Sequence, residues 1–241
     1  MYFILTFFLG AAVGSFVNVL IDRTVVGEDW VRGRSHCDHC RRVLAWYDMI
    51  PLVSYVIYRG QSRCCHTPLS YRYPMVELLT GLLFGWWLVV GFWFFQLTLA
   101  PLAVIQPVFW LLTGIIILIL TLSDAFYGVV LMPIVYVGIV SVIIYRLALW
   151  GFGAYQLADL LKAGLATLGS AGFFAALHWG TKGKGMAEGD IYVAAYVVMV
   201  LGYPKGLLAL GLSFVLGAVV GLIMIGMSLK KRRDTVPFVP F

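Results

Sequence analysis

Long apolar stretches without a charged side chain recur along the whole chain, and each is close to the ~20 residues that a helix needs to cross a bilayer. Of the 241 residues, 62% are hydrophobic and only 12% are charged, whereas a water-soluble domain carries about 25% charged residues. The mean hydropathy is +0.95. Because a helix satisfies its own backbone hydrogen bonds in lipid, the sequence predicts an all-α, polytopic transmembrane helical bundle.

The apolar stretches divide into seven predicted spans, of which the sixth is short. Gly202, Pro204 and Gly206 separate the sixth span from the seventh, so these two segments form either a tight hairpin or a kinked pair. The N-terminal run lacks a basic segment and a convincing cleavage site, which favours a retained first span over a signal peptide. The spans are predicted at about 2–21, 74–95, 102–123, 129–150, 157–179, 190–202 and 205–229.

The basic residues predict an orientation, because Lys and Arg accumulate in the cytoplasmic loops of membrane proteins. Of the 17 Lys and Arg residues, eight fall in 23–73 and four in 230–233. Only Arg146, Lys162 and Lys205 fall on the opposite side when the spans are threaded. The N-terminus is therefore predicted outside and the C-terminus in the cytosol, as a multi-pass protein of the cell inner membrane. This charge pattern favours membrane lipids over nucleic acid as a partner.

Three segments follow from this threading. Residues 1–22 form the first transmembrane span, residues 23–73 a cytosolic loop that contains all four cysteines, and residues 74–241 a transmembrane core that contains two aspartates of interest. In the reducing cytosol, clustered cysteines favour metal binding over disulfides. Cys37 and Cys40 form a CxxC pair that suits a zinc knuckle, and a reduced, metal-free loop is the alternative.

Asp124 and Asp190 are the candidate catalytic residues. Asp124 directly follows an apolar run and Asp190 directly precedes one, and the threading places both at the cytosolic side, at the level of Asp22. An ionisable residue at the end of a membrane helix indicates function, although an interfacial residue or a helix cap is the plainer interpretation. Two carboxylates in a poorly solvated site can share a proton, so that one activates water and the other protonates a peptide carbonyl.

Several motifs, in order along the chain, resemble those of the type IV prepilin peptidases, which are membrane aspartyl proteases with a GxGD signature. GMAEGD at 185–190 resembles that signature, and GSFVNVLIDR at 14–23 resembles the first span of the family. The similarity continues through the cysteine-containing loop at 33–64 and through PLSYRYPMVELLTG at 68–81, and it returns in the PFVPF segment at 237–241. An ordered set of this kind is far more specific than a single GxGD.

The resemblance implies an enzyme with two activities. Asp190 matches the GxGD aspartate and Asp124 matches the first catalytic aspartate of the family. Members cleave a short, basic leader peptide from prepilins or pseudopilins at the cytosolic membrane face. Many then methylate the new N-terminal amine with S-adenosylmethionine, although no sequence feature here identifies residues that would hold this methyl donor.

The resemblance also completes the expected zinc site. The family usually has a second CxxC pair, so Cys64 and Cys65 are expected to join Cys37 and Cys40 as zinc ligands. Ser62 stands where the first cysteine of the second pair is expected, and Cys64 is displaced by two positions. The other donors that could substitute are three histidines, His36, His39 and His66.

Three alternatives belong to other functional classes. A cation transporter would need its aspartates near the bilayer midplane, whereas these are predicted at the cytosolic edge. A non-catalytic scaffold of a pilus or secretion system would not need both aspartates. A zinc protease is disfavoured because the chain has no HExxH motif and a thiolate-rich knuckle is usually a closed structural site.

Two further polar residues are expected to have structural roles. Glu77 lies early in the second span and is expected to point into the bundle, with Arg72 as a candidate partner. His178 is expected to pack at the membrane interface and not to bind a ligand.

Overall fold

The structure is a computed structural model that describes residues 1–37, 39–94, 102–183, 186–227 and 239–240. Within these residues the regular structure is helical, and the β-type pairing is limited to two isolated bridges. Lys184 and the basic tail 230–233, which contributed to the predicted orientation, lie outside the described residues. The helices are α1 (Tyr2–Val26), α2 (Val53–Ile57), α3 (Arg72–Phe94), α4 (Leu102–Tyr127), α5 (Met132–Gly151), α6 (Leu157–Gly180), α7 (Glu188–Leu201) and α8 (Lys205–Gly226), with a 3-10 helix at Trp46–Met49.

Six of these helices are long and apolar enough to cross a membrane, namely α1, α3, α4, α5, α6 and α8. Their outward faces carry large apolar side chains, as on α6, where Leu161, Leu165 and Leu168 are 59 to 71% exposed. Such faces are stable in lipid and costly in water, so the predicted all-α membrane bundle is confirmed.

The helix α7 is shorter than a full span. Its 14 residues extend about 21 Å at 1.5 Å per residue, against about 30 Å for the hydrocarbon core. It ends at Leu201, with Gly202 as its C-cap, and α8 packs back against it so closely that an added Cβ at Gly206 would lie only 2.7 Å from the Val198 Cα. The pair is therefore a tight hairpin. The predicted count of seven spans and the orientation stay predictions.

The chain divides into two compact units, Met1–Ile119 and Leu120–Phe241. In the first unit α1 packs closely on α3. An added Cβ would lie 2.7 Å from the Thr80 carbonyl oxygen at Gly10 and 2.8 Å from the Glu77 Cα at Gly14. Small residues at these contacts let the two helix backbones approach, which is how helices associate where lipid removes most of the hydrophobic driving force. The three segments predicted from the sequence stay a prediction.

In the second unit α7 lies among α5, α6 and α8, and it contributes Ala194 and Val198 to a buried apolar cluster with Phe174, Met186 and Leu210. Its C-terminal end, which leaves carbonyl groups without intrahelical partners, is capped by a buried cation. Arg146 on α5 donates from Nε to the Met199 carbonyl at 2.7 Å and from Nη2 to the Val200 carbonyl at 3.3 Å. Its Nη1 donates to the Tyr155 hydroxyl at 2.8 Å.

This arrangement predicts that Arg146 stabilises the second unit. Replacing it with methionine leaves two buried carbonyl groups without their charged donor, so we expect the free energy of unfolding to fall by about 2 kcal/mol. Thermal unfolding of the detergent-solubilised protein measures this effect. Lys162→Met is the matched control, because Lys162 is exposed and its ion pair with Asp159 spans 3.9 Å. Equal losses in the two variants would contradict the capping role.

Candidate active site and metal centre

Asp124 lies in the last turn of α4, and its side chain is buried, with 7% of the residue exposed. The helix stops shortly afterwards, where Gly128 adopts a left-handed conformation and donates its N–H to the Asp124 carbonyl at 2.8 Å. The carboxylate Oδ2 accepts the backbone N–H of Val239 at 3.0 Å. The PFVPF segment, noted in the sequence for its resemblance alone, thus contributes a donor to this aspartate.

Asp190 is the third residue of α7 and is 6% exposed. Its Oδ2 accepts the backbone N–H of Ala187, the N-cap residue, at 3.0 Å. The positive end of the helix dipole and this N–H both favour a negative charge at this position. The capping interpretation of Asp190 therefore describes a real contact, and this contact leaves one carboxylate oxygen for other chemistry.

Gly189 determines how closely the end of α4 approaches the start of α7. An added Cβ at Gly189 would lie 2.7 Å from the Val130 Cβ, which belongs to the short connection after α4. The absence of a side chain therefore lets Val130 pack directly on the helix start. The close neighbour of Gly189 is thus the chain itself.

The structure brings the two predicted catalytic aspartates together in the second unit, near enough for their carboxyl groups to interact electrostatically. Both are more than nine-tenths buried, and each accepts one backbone N–H. Two coupled carboxyl groups in a poorly solvated site can hold one proton between them, which is the requirement for combined general acid and general base action. Asp22 belongs to the first unit, where both of its carboxylate oxygens accept from Arg72 Nη2, at 2.9 and 3.0 Å.

The four cysteines form one cluster, in which all four sulfur atoms lie within 4.8 Å of one another. Cys40 Sγ and Cys64 Sγ are 3.1 Å apart, Cys37 Sγ and Cys65 Sγ are 3.6 Å apart, and the sulfurs of Cys64 and Cys65 are 3.9 Å apart. A tetrahedral zinc site with Zn–S bonds of about 2.3 Å has S–S edges of about 3.8 Å. The donor set and its spacing therefore fit a structural zinc ion.

The two halves of the cluster are built on the same turn. In the first, Cys37 N–H donates to the Arg42 carbonyl and Arg41 N–H to the Cys37 carbonyl, inside the bridge between His36 and Val43. In the second, every partner is shifted by 25 positions, so that Ser62 stands in the place of Cys37 and Cys65 in the place of Cys40. The corresponding bonds run from the Ser62 and His66 N–H groups to the Thr67 and Ser62 carbonyls, inside the bridge between Gln61 and Pro68.

Ser62 thus occupies the missing cysteine position, and Cys64 supplies the fourth sulfur from within the turn. The Ser62 hydroxyl lies 3.0 Å from Cys64 Sγ and 3.3 Å from Cys37 Sγ, so it borders the cluster at its buried side. Among the described residues the cluster contains thiols alone, without the histidines considered as substitutes.

The thiols of the cluster differ in acidity. Burial raises the pKa of Cys37, but backbone N–H groups of Cys40 and His39 and the Ser62 hydroxyl together lower it to about 6. For Cys40, the Arg42 N–H lowers the pKa, but the neighbouring thiols and burial raise it to about 12. These shifts favour ionisation of Cys37 over Cys40, and a bound cation would favour the thiolate form of all four.

A cavity of about 370 Å³ lies in the first unit, between α1, the start of α3 and the cysteine-containing loop. In its lining, Glu77 accepts the Leu52 N–H at 2.7 Å, a contact that the sequence did not indicate, while its expected partner Arg72 binds Asp22. The lining combines carboxylates, arginines and aromatic rings, among them Glu28, Asp48, Glu77, Arg23, Arg41, Tyr55, Tyr58 and Tyr73.

The comparisons with known proteins cover both units. The model of the Bacterial Peptidase A24 N-terminal domain matches residues 8–91. A prepilin leader peptidase/N-methyltransferase of Myxococcus xanthus is 44% identical over 120 residues, which are 46% of this chain and 36% of the relative. One of Klebsiella pneumoniae is 44% identical over 84 residues, which are 32% of this chain and 37% of the relative. No solved structure matches the chain.

A relative from Aeromonas hydrophila, also named prepilin leader peptidase/N-methyltransferase, extends the match to the whole chain. It is 30% identical over 277 residues, which cover 100% of this chain and 87% of the relative. This alignment includes both aspartate segments as well as the cysteine-containing loop. The chain is a multi-pass membrane protein that belongs to the prepilin leader peptidase/N-methyltransferase family.

Proposed function

We propose that this protein is an aspartic endopeptidase of the cell inner membrane, which removes the leader peptide from type IV prepilins or pseudopilins at the cytosolic face. The observation that carries this proposal is that Asp124 and Asp190 lie in the same unit, both more than nine-tenths buried, with one backbone N–H donating to each carboxylate. Membership of the family supports prepilin-like substrates. The location of both aspartates at helix ends supports a cut site near the membrane surface.

In the proposed reaction the two carboxyl groups divide the proton work. The ionised carboxylate removes a proton from a water molecule as that water attacks the scissile carbonyl carbon. The protonated partner donates its proton to the carbonyl oxygen and so stabilises the tetrahedral intermediate. The N–H groups of Ala187 and Val239 each fix one carboxylate oxygen, which leaves the remaining oxygens for water and substrate.

The alternatives differ in what they require of these residues. A cation transporter uses carboxylates near the bilayer midplane, whereas Asp124 and Asp190 occupy the last turn of α4 and the first turn of α7. A scaffold of a pilus or secretion system would not need the burial of two coupled carboxyl groups, which costs stability.

We also propose that Cys37, Cys40, Cys64 and Cys65 hold a structural zinc ion. The evidence is the all-thiol donor set, in which all four sulfur atoms lie within 4.8 Å of one another. The ion would join the turn at 36–43 to the turn at 61–68, and so stabilise a loop that has few buried apolar side chains.

The methyltransferase activity in the names of the relatives requires a site for S-adenosylmethionine, and the cavity of the first unit fits it. The donor carries a carboxylate, an ammonium and a sulfonium, together with an adenine ring. Arginines such as Arg23 suit the carboxylate, Glu28 and Asp48 suit the cationic groups, and the tyrosines suit the ring and the sulfonium. When bound there, S-adenosylmethionine would supply the methyl group for the new N-terminal amine.

The first prediction concerns cleavage. Asp124→Asn and Asp190→Asn each remove a group that must exchange a proton, so we expect cleavage of a prepilin-type substrate to fall more than about a hundredfold. Cleavage in membranes, followed by mass spectrometry, measures this loss. Asp159→Asn, at an exposed carboxylate on α6, is the control and should cleave normally. A substituted Asp124 or Asp190 protein that cleaves at the wild-type rate refutes that residue's role.

The second prediction concerns the metal. Cys64→Ser removes one thiolate of the proposed zinc site, so the purified protein should lose most of its zinc, measured by elemental analysis. The double variant Ser62→Cys with Cys64→Ser restores a thiol at the position equivalent to Cys37 and should regain one zinc per chain. If Cys64→Ser retains full zinc content, Cys64 is not a ligand.

The third prediction concerns the methyl donor. Radiolabelled S-adenosylmethionine, photo-crosslinked to the protein, should label peptides from the cavity lining between residues 15 and 77. Excess S-adenosylhomocysteine should compete for the label, and Asp190→Asn should be labelled as strongly as the wild type. Labelling confined to peptides beyond residue 119 would place the donor elsewhere.

A further inference from the structure

His178, in the last turn of α6, is linked to the loop that precedes Asp190. Its ring Nδ1 lies 2.8 Å from the Met186 carbonyl oxygen. A carbonyl oxygen accepts hydrogen bonds and cannot donate them, so Nδ1 carries the proton and donates it to this oxygen. The sequence does not indicate this contact, because its partner is a backbone group eight residues away.

The accepting carbonyl belongs to the same peptide group that binds the aspartate. The carbonyl of Met186 and the N–H of Ala187 are the two ends of one planar amide, and that N–H donates to Asp190 Oδ2 at 3.0 Å. A donor at the oxygen of an amide draws electrons toward the oxygen and makes the N–H a stronger donor. His178, one peptide plane and the Asp190 carboxylate therefore form a continuous chain of hydrogen bonds.

The surroundings hold this peptide plane in a single orientation. Met186 is 9% exposed and packs in the apolar cluster with Phe174 and Ala194. After α6 the chain turns through Lys182 and Gly183, both with positive φ, and the Gly183 N–H donates to the His178 carbonyl at 2.8 Å. The turn after α6 thus fixes the backbone of His178, and the ring of His178 binds the Met186 carbonyl beyond that turn.

We propose that His178 is a positioning residue for Asp190, acting through the Met186–Ala187 peptide group. The ring orients this peptide so that its N–H meets the carboxylate, and it strengthens that N–H as a donor. The carboxylate is then held in the orientation and ionisation that proton transfer requires. This inference rests on the proposed peptidase function, and its tests separate the two.

Three substitutions at position 178 distinguish positioning from packing. The side-chain amide nitrogen of asparagine is as many bonds from Cα as Nδ1 is, so His178→Asn retains a donor at the right reach. His178→Gln moves the donor one bond further, and His178→Leu removes it while retaining apolar volume. We expect Gln and Leu to lower kcat for prepilin cleavage roughly tenfold, equivalent to about 1.4 kcal/mol, with KM unchanged and Asn within about twofold of wild type. Equal kcat in the Asn and Gln variants, or wild-type kcat in the Leu variant, overturns the proposal.

Ala187→Pro tests the other end of the chain of hydrogen bonds. Ala187 has φ −75°, which the proline ring accommodates, and the substitution replaces the N–H that binds Asp190 with a ring carbon that cannot donate to the carboxylate. If His178 acts through this N–H, adding His178→Leu to Ala187→Pro causes no further loss of kcat. If the two losses multiply, His178 acts by another route and the proposal fails.

A measurement without turnover keeps the two hypotheses separate. With ¹⁵N-labelled histidine, the His178 signal, assigned by its absence in His178→Asn, should show a protonated Nδ1 in wild type. An unprotonated Nδ1 overturns the inference whether or not the protein cleaves prepilins. A protonated Nδ1 in a wild-type protein that cleaves no prepilin would instead refute the proposed function and, with it, the catalytic purpose of the contact.

Discussion

In the interior of a bilayer every backbone N–H and carbonyl must find a partner within the protein, and this constraint determines where chemistry can occur in the molecule. Along a helix all these groups are used, so free N–H groups occur where a helix begins and in non-helical segments, and free carbonyl groups occur where a helix ends. Both candidate catalytic aspartates lie at such points, at the end of α4 and the start of α7. Asp190 accepts the free N–H of the N-cap residue of its own helix, and Asp124 accepts an N–H from Val239, outside α4.

The sequence predicted those features that depend on composition and on order along the chain. Uncharged runs long enough to span a membrane predicted the six long helices, and the junctions between apolar and polar residues identified Asp124 and Asp190. The CxxC pair and the resemblance predicted the cysteine cluster. The structure shows that Cys64 reaches the other sulfurs despite its displaced position, because it lies within the turn at 61–68 beside Ser62.

Contacts between a side chain and the backbone were beyond the reach of the sequence. Glu77 was expected beside Arg72, but it accepts the N–H of Leu52, whose φ of +62° turns that group toward α3. His178 was expected to pack, but it binds a carbonyl in the following loop. Any residue type can offer a backbone group as a hydrogen-bond partner, so the amino-acid sequence does not identify that partner. Only the path of the folded chain does.

The contact between Gly189 and Val130 has a consequence for how the two candidate catalytic aspartates are spaced. The distance between the helix ends that hold the two aspartates depends on residue 189 being glycine, since a single methyl group there would lie 2.7 Å from the Val130 Cβ. Ordinary contact between carbon atoms is about 3.5 to 4.0 Å, so any larger residue would act as a spacer of about one ångström between the segments. Gly189, the second glycine position of the GxGD signature, therefore sets the distance between the two carboxyl groups. Its mutation would change that distance without removing a reacting group.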